Sequence, residues 1–259
     1  MIGLLRRFRR PRLRATPLPR EHVQIIRRNV PSYAQLDPRE RDLLHQHLQV
    51  FLAEKRFEGA GGLEITDEIR VTIAAQACTL LLGHPDTDYY PYLRTIIVYP
   101  STYVAPTRNQ QGALVTEGDQ ARLGEAWSHG TLVLSWDAVK RGGCDTCDAH
   151  NVVLHEFAHV LDNEDGGMEG APLLPSRSAY APWARVLSAE FENLRRDLTH
   201  GTPTLLRPYG AQSPAEFFAV ATETFFERPL QLRERHPALY DQLRAFYNQD
   251  PAARIEARR

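Results

Sequence analysis

No apolar run in this 259-residue chain approaches transmembrane length, which argues against a helical membrane span. Cysteine is scarce, with Cys78, Cys144 and Cys147 the three present. An odd, low count argues against a disulfide scaffold and for a reducing compartment. Neither sign of charge dominates, since 31 basic side chains face 32 acidic ones for a net charge of −1. That balance excludes an electrostatic nucleic-acid binder acting through the whole surface. Lysine is confined to Lys55 and Lys140, a bias that genome composition explains as readily as function. No internal repeat is present.

What remains is ordinary for a globular protein: 42% hydrophobic and 24% charged residues, in a chain long enough to bury a sizeable core. Charge is nevertheless uneven. Arg6, Arg7, Arg9, Arg10, Arg12, Arg14 and Arg20 crowd the first twenty residues, among Pro11, Pro17 and Pro19. The apolar stretch Met1–Leu5 is too short for a secretory signal and lies before the charges. The expectation is a flexible, solvated tail over residues 1–20, ahead of a domain over 21–255 in the cytoplasm. Weak attraction of the tail to anionic lipid or nucleic acid is the lesser reading.

Helical spacing marks Glu21 to Asn29 and Pro38 to Phe57, the second opened by Asp37 and Pro38. Gly59 to Gly62 breaks the pattern. Thr66, with Asp67 and Glu68 in the first turn, opens a long apolar helix through Leu82 that takes in Cys78 as a small core residue. Two short β-branched segments, Thr95 to Tyr99 and Thr131 to Ser135, read as strands, and Val104 to Glu125 between them reads as loop. Asn163 to Ser178 is a loop of functional length. Helical spacing returns over Ala179 to Leu198, Ala215 to Glu227 and Leu230 to Tyr247. Strands first and helices after give an α+β fold class, mostly helical with a small sheet.

One segment carries chemistry: Asn151-Val-Val-Leu-His155-Glu156-Phe-Ala-His159-Val-Leu-Asp162. Histidines four apart on a helix project from one face, so His155 and His159 can reach a single metal ion. Glu156 sits beside that face, placed as a base rather than a ligand. The flanking side chains are apolar nearly all round, so the helix is buried and its polar groups need a partner. A zinc ion (Zn2+) supplies one; two structural histidines with hydrogen-bond partners are the plainer alternative.

A catalytic zinc has three protein ligands and an open position. Three carboxylates compete for the third place. Asp165 lies six residues after His159, but that geometry needs a glycine where Asp162 stands. Glu216 opens a helix behind Ser213 and Pro214, which allows a rival reading as the far half of a capping box. Its apolar neighbours Phe217, Phe218, Val220 and Ala221 favour a metal. Glu223, seven residues on, shares its face and is the second choice.

These residues resemble a known family. His155-Glu-Phe-Ala-His159-Val-Leu-Asp162, Pro208-Tyr209, Pro214-Ala-Glu216-Phe-Phe-Ala219 and Glu223-Thr-Phe-Phe226 look like the zinc peptidase family of Mlc titration factor A. The segment from Phe57 to Ala77 is also similar to that family, and the likeness runs from about residue 20 to 250. It implies a zincin-like metallopeptidase domain, with His155, His159 and Glu216 as zinc ligands and Glu156 as general base. Tyr209, seven residues before Glu216, becomes the implied transition-state partner. The layout also resembles the catalytic domain of anthrax lethal factor. A CxxC, Cys144 to Cys147, departs from the pattern just before the motif; it reads as a solvent-facing loop, with a redox dithiol as the alternative.

The expected function is therefore a soluble zinc metallopeptidase, with aminopeptidase action on small peptides implied by the resemblance. Its zinc would lower the pKa of a water molecule to about 7 and polarise a peptide carbonyl. Glu156 would carry the proton to the leaving amine, and Tyr209 would donate to the oxyanion. Asp162 could orient a ligand histidine, or serve at an exposed helix end. One of the two strands, at a sheet edge, could align an extended peptide substrate. The competing class is a regulatory binding protein that sequesters a transcriptional repressor such as Mlc, with zinc mainly structural. Glu156 and Tyr209 favour catalysis, since a structural site needs neither.

Overall fold

The computed structural model describes residues 2–101, 124–127, 130–144 and 148–258. It is mostly helical with one small sheet, an α+β arrangement. Helices α1 (Ile2–Arg14), α2 (Arg20–Asn29) and α3 (Pro38–Glu54) come first, followed by β1 (Arg56–Gly59) and α4 (Asp67–Thr79). Strands β2 (Thr95–Tyr99), β3 (Gly124–Trp127) and β4 (Thr131–Ser135) complete the sheet, in the order β1-β2-β4-β3. The first three run parallel in that sheet, while β3 pairs antiparallel with β4. Then follow α5 (Trp136–Cys144), α6 (Val152–Asp162), α7 (Arg177–Thr199), α8 (Pro214–Glu227), α9 (Pro229–Arg235), α10 (Pro237–Tyr247) and α11 (Pro251–Glu256).

Local chemistry sets the helix starts. Asp37 and Glu40 form a reciprocal capping box ahead of α3, at 2.8 and 3.0 Å, with Pro38 at the first helical position. Thr66 caps α4, which is buried nearly all round and forms the centre of the molecule. In the sheet, Ile96 pairs with Leu132 and Val98 with Leu134, and all four side chains are buried. Period-two burial thus places one face of β2 and β4 on the core. Phe157 anchors α6 into that core, its ring 4.8 Å from Tyr90 and 5.8 Å from Phe51. Among the described residues no helix is long and apolar enough to cross a membrane.

The structure corrects several expectations. Within the stretch expected as a solvated tail, residues 2–14 form helix α1, which lies against α3. The Arg10 guanidinium binds Glu54 at 2.8 and 3.0 Å and Asp88 at 2.9 Å. Arg14 donates to the Tyr89 hydroxyl at 3.0 Å, and Leu13 packs against the core. At Arg10, charge that predicts solvation in isolation is neutralised by acids distant in sequence. The helix predicted to reach Phe57 ends at Glu54, because residues 56–59 pair with β2. At its end, a Cβ on Gly59 would collide with the Leu63 carbonyl oxygen, so the reversal needs glycine.

The segment predicted as one helix over Leu230 to Tyr247 breaks at His236. Pro237 restricts the preceding residue and restarts the helix as α10. Both predicted strands are interior, so neither offers an edge. The free edges of the described sheet are β1 and β3, and β3 overlaps the segment read as loop. Residues 104–123 of that segment lie outside the described residues.

Candidate metal centre

The site forms where α6 crosses α8. Asn151 starts α6 by accepting the amides of Val153 and Leu154, both at 3.1 Å, while its own side chain donates to the Gly142 carbonyl at 3.0 Å. One turn on, His155 and His159 point their Nε2 atoms at the same place, 3.2 Å apart. Ser213 starts α8, its hydroxyl accepting the Glu216 amide at 3.2 Å. The Glu216 carboxylate turns to the histidines instead of closing a capping box. Its Oε2 lies 3.0 Å from His155 Nε2 and 3.4 Å from His159 Nε2.

These three atoms form a donor set that can hold a metal ion. Among the described residues, His155, His159 and Glu216 form a group whose donor atoms lie within 4.8 Å of one another. A tetrahedral zinc with donors at about 2.0–2.2 Å sets neighbouring donors about 3.3–3.6 Å apart. The separations of 3.0, 3.2 and 3.4 Å are close to one face of that tetrahedron. Two imidazoles and a carboxylate, all of them accessible as acceptors when deprotonated, fit zinc chemically.

Without a cation at that point, the cluster holds a proton. Burial by itself depresses the His155 pKa, but hydrogen bonds to Glu216 and Glu223 outweigh it and push the value up to about 10. Burial would raise Glu216, yet its hydrogen bonds to His155 and His159 hold it down at about 2. The site is built to keep positive charge between two carboxylates.

Tyr209 stands in a 3-10 turn, Pro208–Ala211, over the same point. Its hydroxyl donates to Glu216 Oε1 at 3.4 Å and its ring lies 5.8 Å from that of His155. It is 41% exposed, so it meets solvent where the histidines do not. The turn lies close on α8, with a Cβ at Gly210 coming within 3.3 Å of Val220. Glu156 is buried on α6, one residue from His155, and its charge contributes to the raised His155 pKa.

Glu223, the rival ligand, is placed differently. It approaches His155 from the opposite ring nitrogen, Nδ1, at 2.8 Å, and accepts the Asn151 amide at 2.6 Å and the Arg207 guanidinium. Arg207 went unrecognised in the sequence; its position two residues before Tyr209 gave no signal of a partner at 223. Asp162 is buried, not at an exposed helix end. Its carboxylate accepts the amides of Gly170 and Ala171 at 2.8 and 2.7 Å and so ties down the following loop. The side chains of Asp165, Cys144 and Cys147 lie outside the described residues.

Known proteins resemble this chain along most of its length. Residues 5–248 match the model of the glucose-regulated metallo-peptidase M90 family. A Synechocystis protein of uncharacterised role is 42% identical over 246 residues, covering 94% of this chain and 89% of its own. Mlc titration factor A of Serratia proteamaculans is 34% identical, with 88% of this chain and 87% of that protein covered. The protein of the same name from Pectobacterium atrosepticum is 32% identical, covering 88% and 86%.

Proposed function

This chain belongs to the glucose-regulated metallo-peptidase M90 family, and from that premise we propose that it is a zinc-dependent peptidase with a zincin-like fold. His155, His159 and Glu216 hold the metal, Glu156 is the general base, and Tyr209 donates to the oxyanion. The observation that carries the reading is the convergence of two Nε2 atoms and one carboxylate oxygen at 3.0–3.4 Å. When bound, zinc supplies positive charge that acidifies a water molecule to a pKa of about 7 and polarises the peptide carbonyl.

The chain's own residues do the rest. Glu156 accepts the water proton and delivers it to the leaving amine, a transfer it can make only from a position beside both. Tyr209, half-exposed at the rim, exchanges its present bond to Glu216 for one to the oxyanion as charge develops. Burial of His155, His159 and Glu156 keeps bulk water from screening these contacts. An aminopeptidase acting on small peptides is the specific form proposed.

A second reading rests on the name of the relatives, Mlc titration factor A. Under it, the protein is a regulatory partner of a transcriptional repressor and zinc is structural. A structural zinc is normally closed by four protein ligands, whereas three donors group here among the described residues. Glu156→Gln separates the two. Zinc-loaded variant and wild type are given the same peptide library: loss of cleavage with zinc and fold retained supports the peptidase, and equal cleavage refutes it.

A further inference from the structure

We propose that Glu223 is a positioning residue which couples the pose of the zinc ligand His155 to that of the Tyr209 turn, through Arg207. The inference rests on the peptidase reading of the site. Glu223 has no exposed surface, and its carboxylate gathers contacts from three places in the chain. Oε1 accepts from His155 Nδ1 and from the Arg207 guanidinium, and Oε2 accepts the Asn151 amide at the start of α6.

Each contact has a consequence at the metal point. Glu216 and Glu223, seven residues apart on α8, hold the same imidazole by its two nitrogens, at 3.0 and 2.8 Å. With Nδ1–H committed to Glu223, the Nε2 lone pair is the one presented to a metal. The buried His159 Nδ1 has no such hydrogen-bond partner among the described residues. The pose of His155 is therefore held through both ring nitrogens, and that of His159 through Nε2 and helix α6.

Arg207 extends the coupling. It is the residue from which the Tyr209 turn starts, its carbonyl accepting the Gly210 amide at 3.0 Å. Its guanidinium neutralises Glu223, which otherwise would crowd a third carboxylate against Glu216 and Glu156. A shift of the Glu223 carboxylate thus moves the metal ligand and the oxyanion donor together. A plain structural ion pair between α8 and its neighbours would steady the fold but leave zinc affinity unchanged.

Zinc affinity separates the two roles. Dissociation constants are measured by chelator competition for wild type, Glu223→Gln, Glu223→Asp and Glu216→Ala, alongside thermal unfolding of each metal-free protein. Glu223→Gln should bind zinc about 10–100-fold more weakly, and Glu223→Asp less severely so. Wild-type affinity in both Glu223 variants, with zinc lost in Glu216→Ala, overturns the proposal and leaves the peptidase reading standing. Zinc retained in Glu216→Ala overturns the reading of the site itself. Should both Glu223 variants unfold, Arg207→Gln carries the test in kcat. Its loss should be large in wild type and absent in a Tyr209→Phe background; equal losses in both backgrounds refute the coupling.

Discussion

Zinc binding should tighten by about a hundredfold between pH 6 and pH 8, because the metal must displace a proton held on His155. In the metal-free site His155 lies between Glu216 and Glu223, and its pKa stands at about 10. Its proton is therefore still bound throughout that pH range, and log affinity climbs one unit for each unit of pH. An unperturbed histidine, with a pKa near 6.5, would be largely neutral by pH 7.5, and the gain from pH 6 to pH 8 would be about fourfold. The two cases differ by more than an order of magnitude. Competition with a chromophoric chelator, corrected for its own protonation, measures the slope. Calorimetry at pH 7 in two buffers of different ionisation enthalpy should count about one proton released per zinc bound. A fourfold gain, or release of well under half a proton, would refute the bracketed, protonated His155 described above.

Tyr209→Phe should lower kcat by about 10²–10³-fold while leaving zinc content and KM nearly unchanged, since its hydroxyl acts on developing charge; a comparable rise in KM instead would assign it to substrate binding. Glu227, half-buried, has its pKa pushed up to about 9 by burial first; a hydrogen bond from the Asn151 side chain works against that rise and the charge of Glu223 adds to it. A carboxyl raised in the fold contributes stability below its unfolded pKa and loses it as pH rises toward 9. Glu227→Gln should thus raise the thermal midpoint at pH 8 by a few degrees, roughly 1 kcal/mol, and less at pH 4; an equal shift at both would sink this account. Arg10→Ala, which unties α1 from Glu54 and Asp88, should cost about 1–3 kcal/mol with activity per zinc unchanged; an unmoved midpoint would show that α1 is not docked in solution.

What could be read from the residues was mostly local. The starts of α3, α4, α6 and α8 follow from Asp37, Thr66, Asn151 and Ser213, because a cap and its amide lie two or three residues apart. Two histidines four apart declare one helix face for the same reason. Where the partner is distant, the reading failed. Arg10 finds its acids 44 and 78 residues away, so its charge pointed to solvent. Strands β1 and β3 are short and owe their form to a neighbouring main chain, which no alternation within four residues announces. Glu216 and Glu223 are both legible as candidates for the third ligand place, on one face of their helix. Which one meets Nε2 and which Nδ1 depends on how α6 crosses α8, and that crossing is a property of the packed core.

The seven-residue interval between Glu216 and Glu223 works as a ruler. Two turns of helix bring the carboxylates onto one face at a separation matched to the two nitrogens of one imidazole. Inserting or deleting a single residue between them would rotate one by about 100° and shift it about 1.5 Å along the axis, which breaks either the metal point or its support. The stretch 217–222 can therefore drift in composition over evolutionary time, provided it keeps its apolar volume, but its length is frozen.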